Sequence, residues 1–135
     1  MHPHTPSRIA LVALLAALAT AVCAQNKPAA PPGTYEPQVG QAGKDVIWVP
    51  TPQALVDRML GLGKVTAQDV VIDLGSGDGR TVITAAKRAA KALGIEYNPD
   101  MVELSKRTAQ KEGVSQRAEF RKADLFETDF SSATV

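Results

Sequence analysis

Asp73-Leu74-Gly75-Ser76-Gly77-Asp78-Gly79 is the stretch of this chain whose residue types and spacing carry the clearest chemistry. It follows the apolar Val70-Val71-Ile72 and precedes Thr81-Val82-Ile83-Thr84-Ala85-Ala86-Lys87, which reads as a helix. A buried strand feeding a glycine turn and then a helix is how open α/β sheets build nucleotide sites. The spacing here is G-x-G-x-G, whereas dinucleotide-binding turns use G-x-G-x-x-G. Asp73 stands two residues before the first glycine. A carboxylate there repels a pyrophosphate by on the order of several kcal/mol at an intermediate dielectric. It attracts an ammonium or sulfonium group instead. A turn that only joins strand to helix explains the glycines alone; the acid, the apolar run and the trailing helix together point to a ligand.

A second acid lies at a telling distance. After a helix over residues 80–88 comes Lys91-Ala92-Leu93-Gly94-Ile95-Glu96, a short apolar segment ending in a carboxylate. Glu96 follows Gly75 by about 20 residues, the interval at which α/β folds place the acid that binds a ribose diol. Its two oxygens can accept from both hydroxyls at once. Standing alone, Glu96 would read as a solvated loop residue. Tyr97 follows, and its ring suits either an adenine face or plain packing.

The elements that must hold these residues are well punctuated. Asn98 is an N-cap, Pro99 suits the first helical position, Asp100 and Glu103 favour the start, and Gly113 ends the helix. Ala118–Ala123 alternates like a strand and leads into Asp124-Leu125-Phe126. Upstream, Thr51 is expected to cap and Pro52 to open a short amphipathic helix, with Leu55, Val56, Met59 and Leu60 on its apolar side and Gly61 and Gly63 closing it. That helix reads as a cover for the sheet or for the mouth of the site.

S-adenosylmethionine carries both an ammonium and a sulfonium. The Asp73–Gly79 stretch resembles the first motif of the class I S-adenosylmethionine-dependent methyltransferases, acid-x-G-x-G-x-G. Together with Val49-Pro50-Thr51-Pro52, Gly94-Ile95-Glu96-Tyr97-Asn98-Pro99 and Asp124-Leu125-Phe126, it is similar to the small protein-lysine methyltransferases of mitochondrial type, and more distantly to Dot1-type enzymes. The resemblance covers residues 46–135. It implies a Rossmann-like, doubly wound α/β domain and S-adenosylmethionine as cofactor. It further implies that Asp73, Gly75, Ser76, Gly77, Gly79, Glu96, Tyr97, Asp124 and Leu125 form the cofactor site. In that family an acid ending the third strand takes the adenine amino group, and Asp124 holds that place. A lysine acceptor on a protein substrate is implied by the likeness alone. No catalytic base is assigned.

Residues 1–24 read as a secretory signal peptide: Arg8 in a short polar start, an apolar run over Ile9–Val22, and small residues before Gln25. The run is shorter than the roughly 17–25 residues of a spanning helix, so no stable membrane span is expected after cleavage. Cleavage before Cys23 as a lipoprotein, or an uncleaved anchor, are the alternatives. Residues 25–45 read as a proline-rich linker. The expected destination is outside the cytoplasm, periplasmic or secreted.

Cleavage removes both histidines, the one cysteine and Arg8, leaving 14 Lys+Arg (15 less Arg8) against 14 Asp+Glu. That balance gives no electrostatic case for nucleic acid. Without His or Cys there is no usual serine or cysteine triad and no His/Cys zinc site; no metal is expected, though a carboxylate-only magnesium site is conceivable. Methyl transfer needs none of these groups.

Three strands are expected near 69–74, 91–96 and 118–123, with Ala133-Thr134-Val135 opening a fourth. This corresponds to the N-terminal half of the domain and reads as a fragment or truncated product; were it complete, marginal stability or dependence on a partner is expected. Two rivals carry weight. One is a non-catalytic, secreted cofactor-binding or interaction protein, favoured because export takes the chain away from cytosolic S-adenosylmethionine. The other is an NAD- or nucleotide-sugar-dependent enzyme, which Asp73 argues against.

Overall fold

A computed structural model describes residues 34–135. The expected signal peptide, and the linker up to residue 33, lie outside the described residues. The β-branched run Val70-Val71-Ile72 opens strand β1 (Val70–Leu74), and the segments 91–96 and 118–122 form β2 (Lys91–Glu96) and β3 (Ala118–Lys122). All three run parallel in the order β1-β2-β3, with Asp73 beside Gly94 and Glu96 beside Lys122. The expected strands are thus present.

Helices supply the crossovers and one cover. The first, α1 (Gln53–Leu62), precedes the sheet; α2 (Arg80–Ala86) joins β1 to β2, and α3 (Pro99–Lys111) joins β2 to β3. A short 3₁₀ turn, Leu125–Glu127, follows β3. Small residues (Ala85, Ala86, Ala92, Ala109, Ala118) dominate the buried interface between helices and sheet, with Val82, Val102 and Phe120 filling it. Small side chains let helix and sheet approach closely.

The ends of α3 show why it forms where it does. Asn98 Oδ1 accepts from the N–H groups of Asp100 (2.9 Å) and Met101 (3.4 Å), and Pro99 takes the first helical position. At the other end Gly113 adopts φ +71°, its N–H donates to the Gln110 carbonyl, and the Val114 N–H donates to Ala109. This pair of bonds satisfies the last carbonyls, and buried Val114 seals the end.

Helix α1 departs from expectation in two ways. Pro52, not Thr51, is the boundary residue; no side chain among the described residues caps the helix, and Gly61 lies inside it with Gly63 as the C-cap. Val56 and Leu60 are buried, but Leu55 and Met59 are about half exposed. The reason lies in polar contacts that rotate the helix: Gln53 donates to Thr84 on α2, and Arg88 donates to the Asp57 carboxylate. Those contacts select the 53-56-57-60 edge for docking, which turns Leu55 and Met59 away.

Residues 134–135 return to the edge of the sheet, although the expected fourth strand does not form among the described residues. The Val135 N–H donates to the Val70 carbonyl and the Ile72 N–H donates to the Val135 carbonyl, the pattern of a parallel pair, on the edge of β1 away from β2. The chain therefore builds outward from β1 on one side and comes back on the other. In open α/β sheets a ligand sits beyond the carboxyl ends of the strands at such a reversal. Among the described residues no helix is long and apolar enough to cross a membrane.

Replacing the α3 cap, Asn98→Ala, is expected to cost about 1 kcal/mol. Urea unfolding reads it as a lowered midpoint at unchanged slope.

Candidate cofactor site

Strand β1 ends at Leu74, and the backbone then needs three left-handed residues in close succession: Gly75 (φ +78°), Gly77 (φ +53°) and Gly79 (φ +78°). Glycine adopts these values without steric cost. The turn is anchored to β2 by the N–H groups of Gly75 and Ser76, which both donate to the Ile95 carbonyl. Gly79 then caps α2.

Two hollows open at the carboxyl ends of the strands. One, of about 390 Å³, is lined by Gly75, Glu96, Tyr97, Asp124 and Leu125 among others. This falls within the usual range for small-molecule sites. A smaller one, of about 130 Å³, is lined by Asp73, Gly75, Ser76, Gly77 and Thr81. Gly75, Trp48 and Val49 line both. A β-carbon on Gly75 would meet nothing within 4 Å, so the join between the hollows is open space. An elongated ligand can run from Asp73 to Asp124 across it.

The electrostatics differ at the two ends. Burial raises the pKa of Asp73, a hydrogen bond from Thr81 opposes the rise, and the Glu96 and Asp78 carboxylates add to it. Asp78 is itself held by Arg80 through a bidentate contact. The charges that bear on Asp73 are therefore negative, an environment that a bound cation would relieve. At the other end Lys44 forms an ion pair with Asp124 and lies 5.1 Å above the centre of the Tyr97 ring. This contact, together with the Phe126 N–H on Asp124 Oδ1, holds the Asp124 carboxyl below its ordinary value.

Glu96 is more occupied than its spacing alone suggests. Oε2 accepts from the Gly77 N–H and Oε1 from the Asn98 N–H, both at 2.8 Å. The carboxylate thus ties the glycine turn to the cap of α3 while lining the larger hollow. Ser76 Oγ is buried and without a partner among the described residues; it is turned inward against Gly94. Gly79 lines neither hollow and packs against Ser105 and Phe120. Tyr97 is half exposed. The remaining expected residues stand around the two hollows.

The sequence pattern does not reveal several contributors. Residues 38–48, whose composition is mostly that of a linker, fold back through an Ala42–Ile47 bridge and hydrogen bonds from Gly40 to Trp48 and from Trp48 to Gln41. This strap brings Lys44, Ile47 and Trp48 over the site. Trp48 lies against the turn so closely that a β-carbon on Gly77 would stand 2.7 Å from its indole nitrogen. Buried Met101 lines the larger hollow from α3.

Known proteins are similar to this chain in sequence and fold. Residues 73–135 match the ANTKMT methyltransferase domain. The solved structure of an RNA methyltransferase from Salinibacter ruber, in complex with S-adenosyl-L-homocysteine, superposes with a TM-score of 0.62 at 52% identity, over 64% of this chain and 57% of that one. In sequence over these spans, and in fold, the chain is similar to the class I S-adenosylmethionine-dependent methyltransferases. A protein-lysine N-methyltransferase of Saccharolobus islandicus is 47% identical over 92 residues, 67% of this chain and 57% of that protein. A lysine N-methyltransferase for ATP synthase from Xenopus laevis is 39% identical over 84 residues, 62% of this chain and 37% of that protein. The chain thus spans little more than half the length of the first of these relatives and less of the second.

The residues present fit the family's cofactor on two counts. Among the described residues only carboxylates and a hydroxyl bear on Asp73, which suits a cationic group, and Gly75 leaves open space for an elongated molecule.

Because folding raises the pKa of Asp73, the cost to stability builds as pH climbs past the ordinary carboxyl value and is complete above the folded pKa. Asp73→Asn is expected to melt higher than wild type at pH 7. The difference should vanish well below the ordinary carboxyl value of 3.8, where Asp73 is neutral in both states. Thermal scans at pH 7 and in acid check both halves.

Proposed function

We propose that this chain acts in S-adenosylmethionine-dependent methyl transfer to a lysine side chain of a protein. The observation that carries the proposal is Asp73, a carboxylate among carboxylates, joined across the Gly75 gap to the hollow of Glu96 and Asp124. When bound, S-adenosylmethionine would supply an electrophilic methyl for a neutral lysine amine, with S-adenosylhomocysteine as the leaving group and the amine's proton lost to solvent.

Each residue then has a definite part. Asp73 faces the amino and sulfonium end and holds its positive charge. Glu96 accepts from the ribose hydroxyls with the lone pairs that Gly77 and Asn98 leave free. Asp124, now paired with Lys44, would accept from the adenine amino group. Leu125 and the Tyr97 ring border the adenine. Positioning supplies most of the rate, since holding two reactants in line is worth up to roughly 7–11 kcal/mol.

Lysine as acceptor draws support from the activities for which the Saccharolobus and Xenopus relatives are named. A second reading, RNA as acceptor, draws on the names given to the Salinibacter protein and to a 23S rRNA methyltransferase of Polynucleobacter necessarius, 39% identical over 83 residues. The net charge of +1 offers little attraction to a polyanion, so the protein acceptor stands ahead. Non-catalytic cofactor binding is the alternative outcome of the test below. Export on residues 1–24 belongs to the same proposal, and fractionation of cells with antibody detection tests it.

Titration of S-adenosylmethionine into the purified chain should give saturable binding that NAD does not compete away. Glu96→Ala should weaken it roughly ten- to a hundredfold, the worth of charge-assisted hydrogen bonds. Labelled cofactor incubated with cell-envelope extract and, separately, with total RNA should transfer label to protein. Binding without transfer would leave the non-catalytic reading; label in RNA would replace lysine as acceptor.

A further inference from the structure

Gly77 is held at both of its backbone polar groups. Its N–H donates to Glu96 Oε2 at 2.8 Å, and its carbonyl accepts from Ser105 Oγ at 3.2 Å. With φ at +53°, Gly77 is the central one of the turn's three left-handed glycines. Both bonds flank its Cα, so together they fix it.

Ser105 is an unusual partner for that carbonyl. It sits in the middle of α3, fully buried, and lines neither hollow of the site. A hydroxyl inside a helix ordinarily bonds the carbonyl four residues back. Thr108 does so with Leu104, and Thr84 with Arg80. Ser105 crosses instead to a turn 28 residues away in sequence. Space is tight there as well: a β-carbon on Gly79 would stand 2.6 Å from Ser105 Oγ, so the position admits only a small side chain.

We propose that Ser105 is a positioning residue for the cofactor turn, holding the Gly77 carbonyl while Glu96 holds the Gly77 N–H. The inference deepens the methyltransferase reading and rests on it. Without the hydroxyl, the buried Gly77 carbonyl loses its donor and the turn gains by rotating it toward water. That rotation pulls the Gly77 N–H from Glu96 and shifts the carboxylate that faces the ribose. Ser105 therefore sets cofactor affinity without touching the cofactor.

The test uses the full chain as wild type, Ser105→Ala, Glu96→Gln and the double variant. Calorimetry measures S-adenosylhomocysteine binding, and amide hydrogen exchange is followed on the ligand-free proteins. Ser105→Ala should weaken binding about tenfold, as loss of a buried partner implies. It should also speed exchange at Gly77 and Gly79 while the β2 amides keep their protection. The double variant should lose less than the product of the single losses, because both act on one residue. Ser105→Cys, a weaker donor of similar size, should fall between wild type and alanine, and it carries the test if the alanine variant does not fold. Wild-type affinity in the variants would overturn the proposal, as would exchange that rises equally in turn and sheet. Failure of the wild type to bind would instead sink the cofactor reading, and ligand-free exchange would still decide what Ser105 does.

Discussion

Phe120 lies against both Gly79 and Gly94, and it fits there because neither residue carries a β-carbon: one added at either position would stand 2.7–2.8 Å from the ring. The ring reaches from β3 across the face of β2 to the glycine turn. Ser76 and Ser105 press on the same two glycines from above and from α3. The spacing between sheet, turn and helices is therefore set by side chains that are absent. Everything at the strand ends inherits its position from that packing: the turn sits low, Gly75 stays clear, and Glu96 comes within reach of the Gly77 amide. Close packing leaves little room for adjustment.

That proximity has an electrostatic side. Bringing the turn down onto β2 gathers Asp73, Asp78 and Glu96 near one another, and the protein neutralises them unequally. Arg80 takes Asp78, and backbone N–H groups take Glu96. Among the described residues Asp73 receives only a neutral hydroxyl. The fold thus leaves one carboxylate without a cationic partner among the described residues, at the end of its first strand. Carboxylates held this way mark sites where a positive ligand completes the charge balance.

Local features are legible in the sequence because local chemistry decides them. The three strands, the left-handed glycines and the Asn98-Pro99 cap each depend on residues a few positions apart, and each stands where the pattern puts it. What the pattern leaves out depends on partners distant in sequence. The strap over residues 38–48 has no periodic apolar pattern and a linker's composition, yet Trp48 gives it a place to dock on Gly77. Lys44 reaches Asp124 across 80 positions. The apolar side of α1 differs from its periodicity because two polar contacts, with α2 and with the residues just after it, set the helix's rotation. Spacing marks Glu96 as a ligand-facing acid; that it also staples the turn to α3 follows only from the folded arrangement.

The return of residues 134 and 135 to the outer edge of β1 bears on how the protein is made. Translation delivers β1, then β2 and β3, and these can pair on one side as they emerge, since parallel crossovers here are short. The other edge of β1 waits for a partner encoded 64 residues later. Until that partner leaves the ribosome, the nascent sheet shows open N–H and C=O groups at Val70 and Ile72, the kind of surface on which strands of other chains pair. Of the three strands, the one that carries Asp73 is synthesised first and enclosed late, a window in which a chaperone has most to protect.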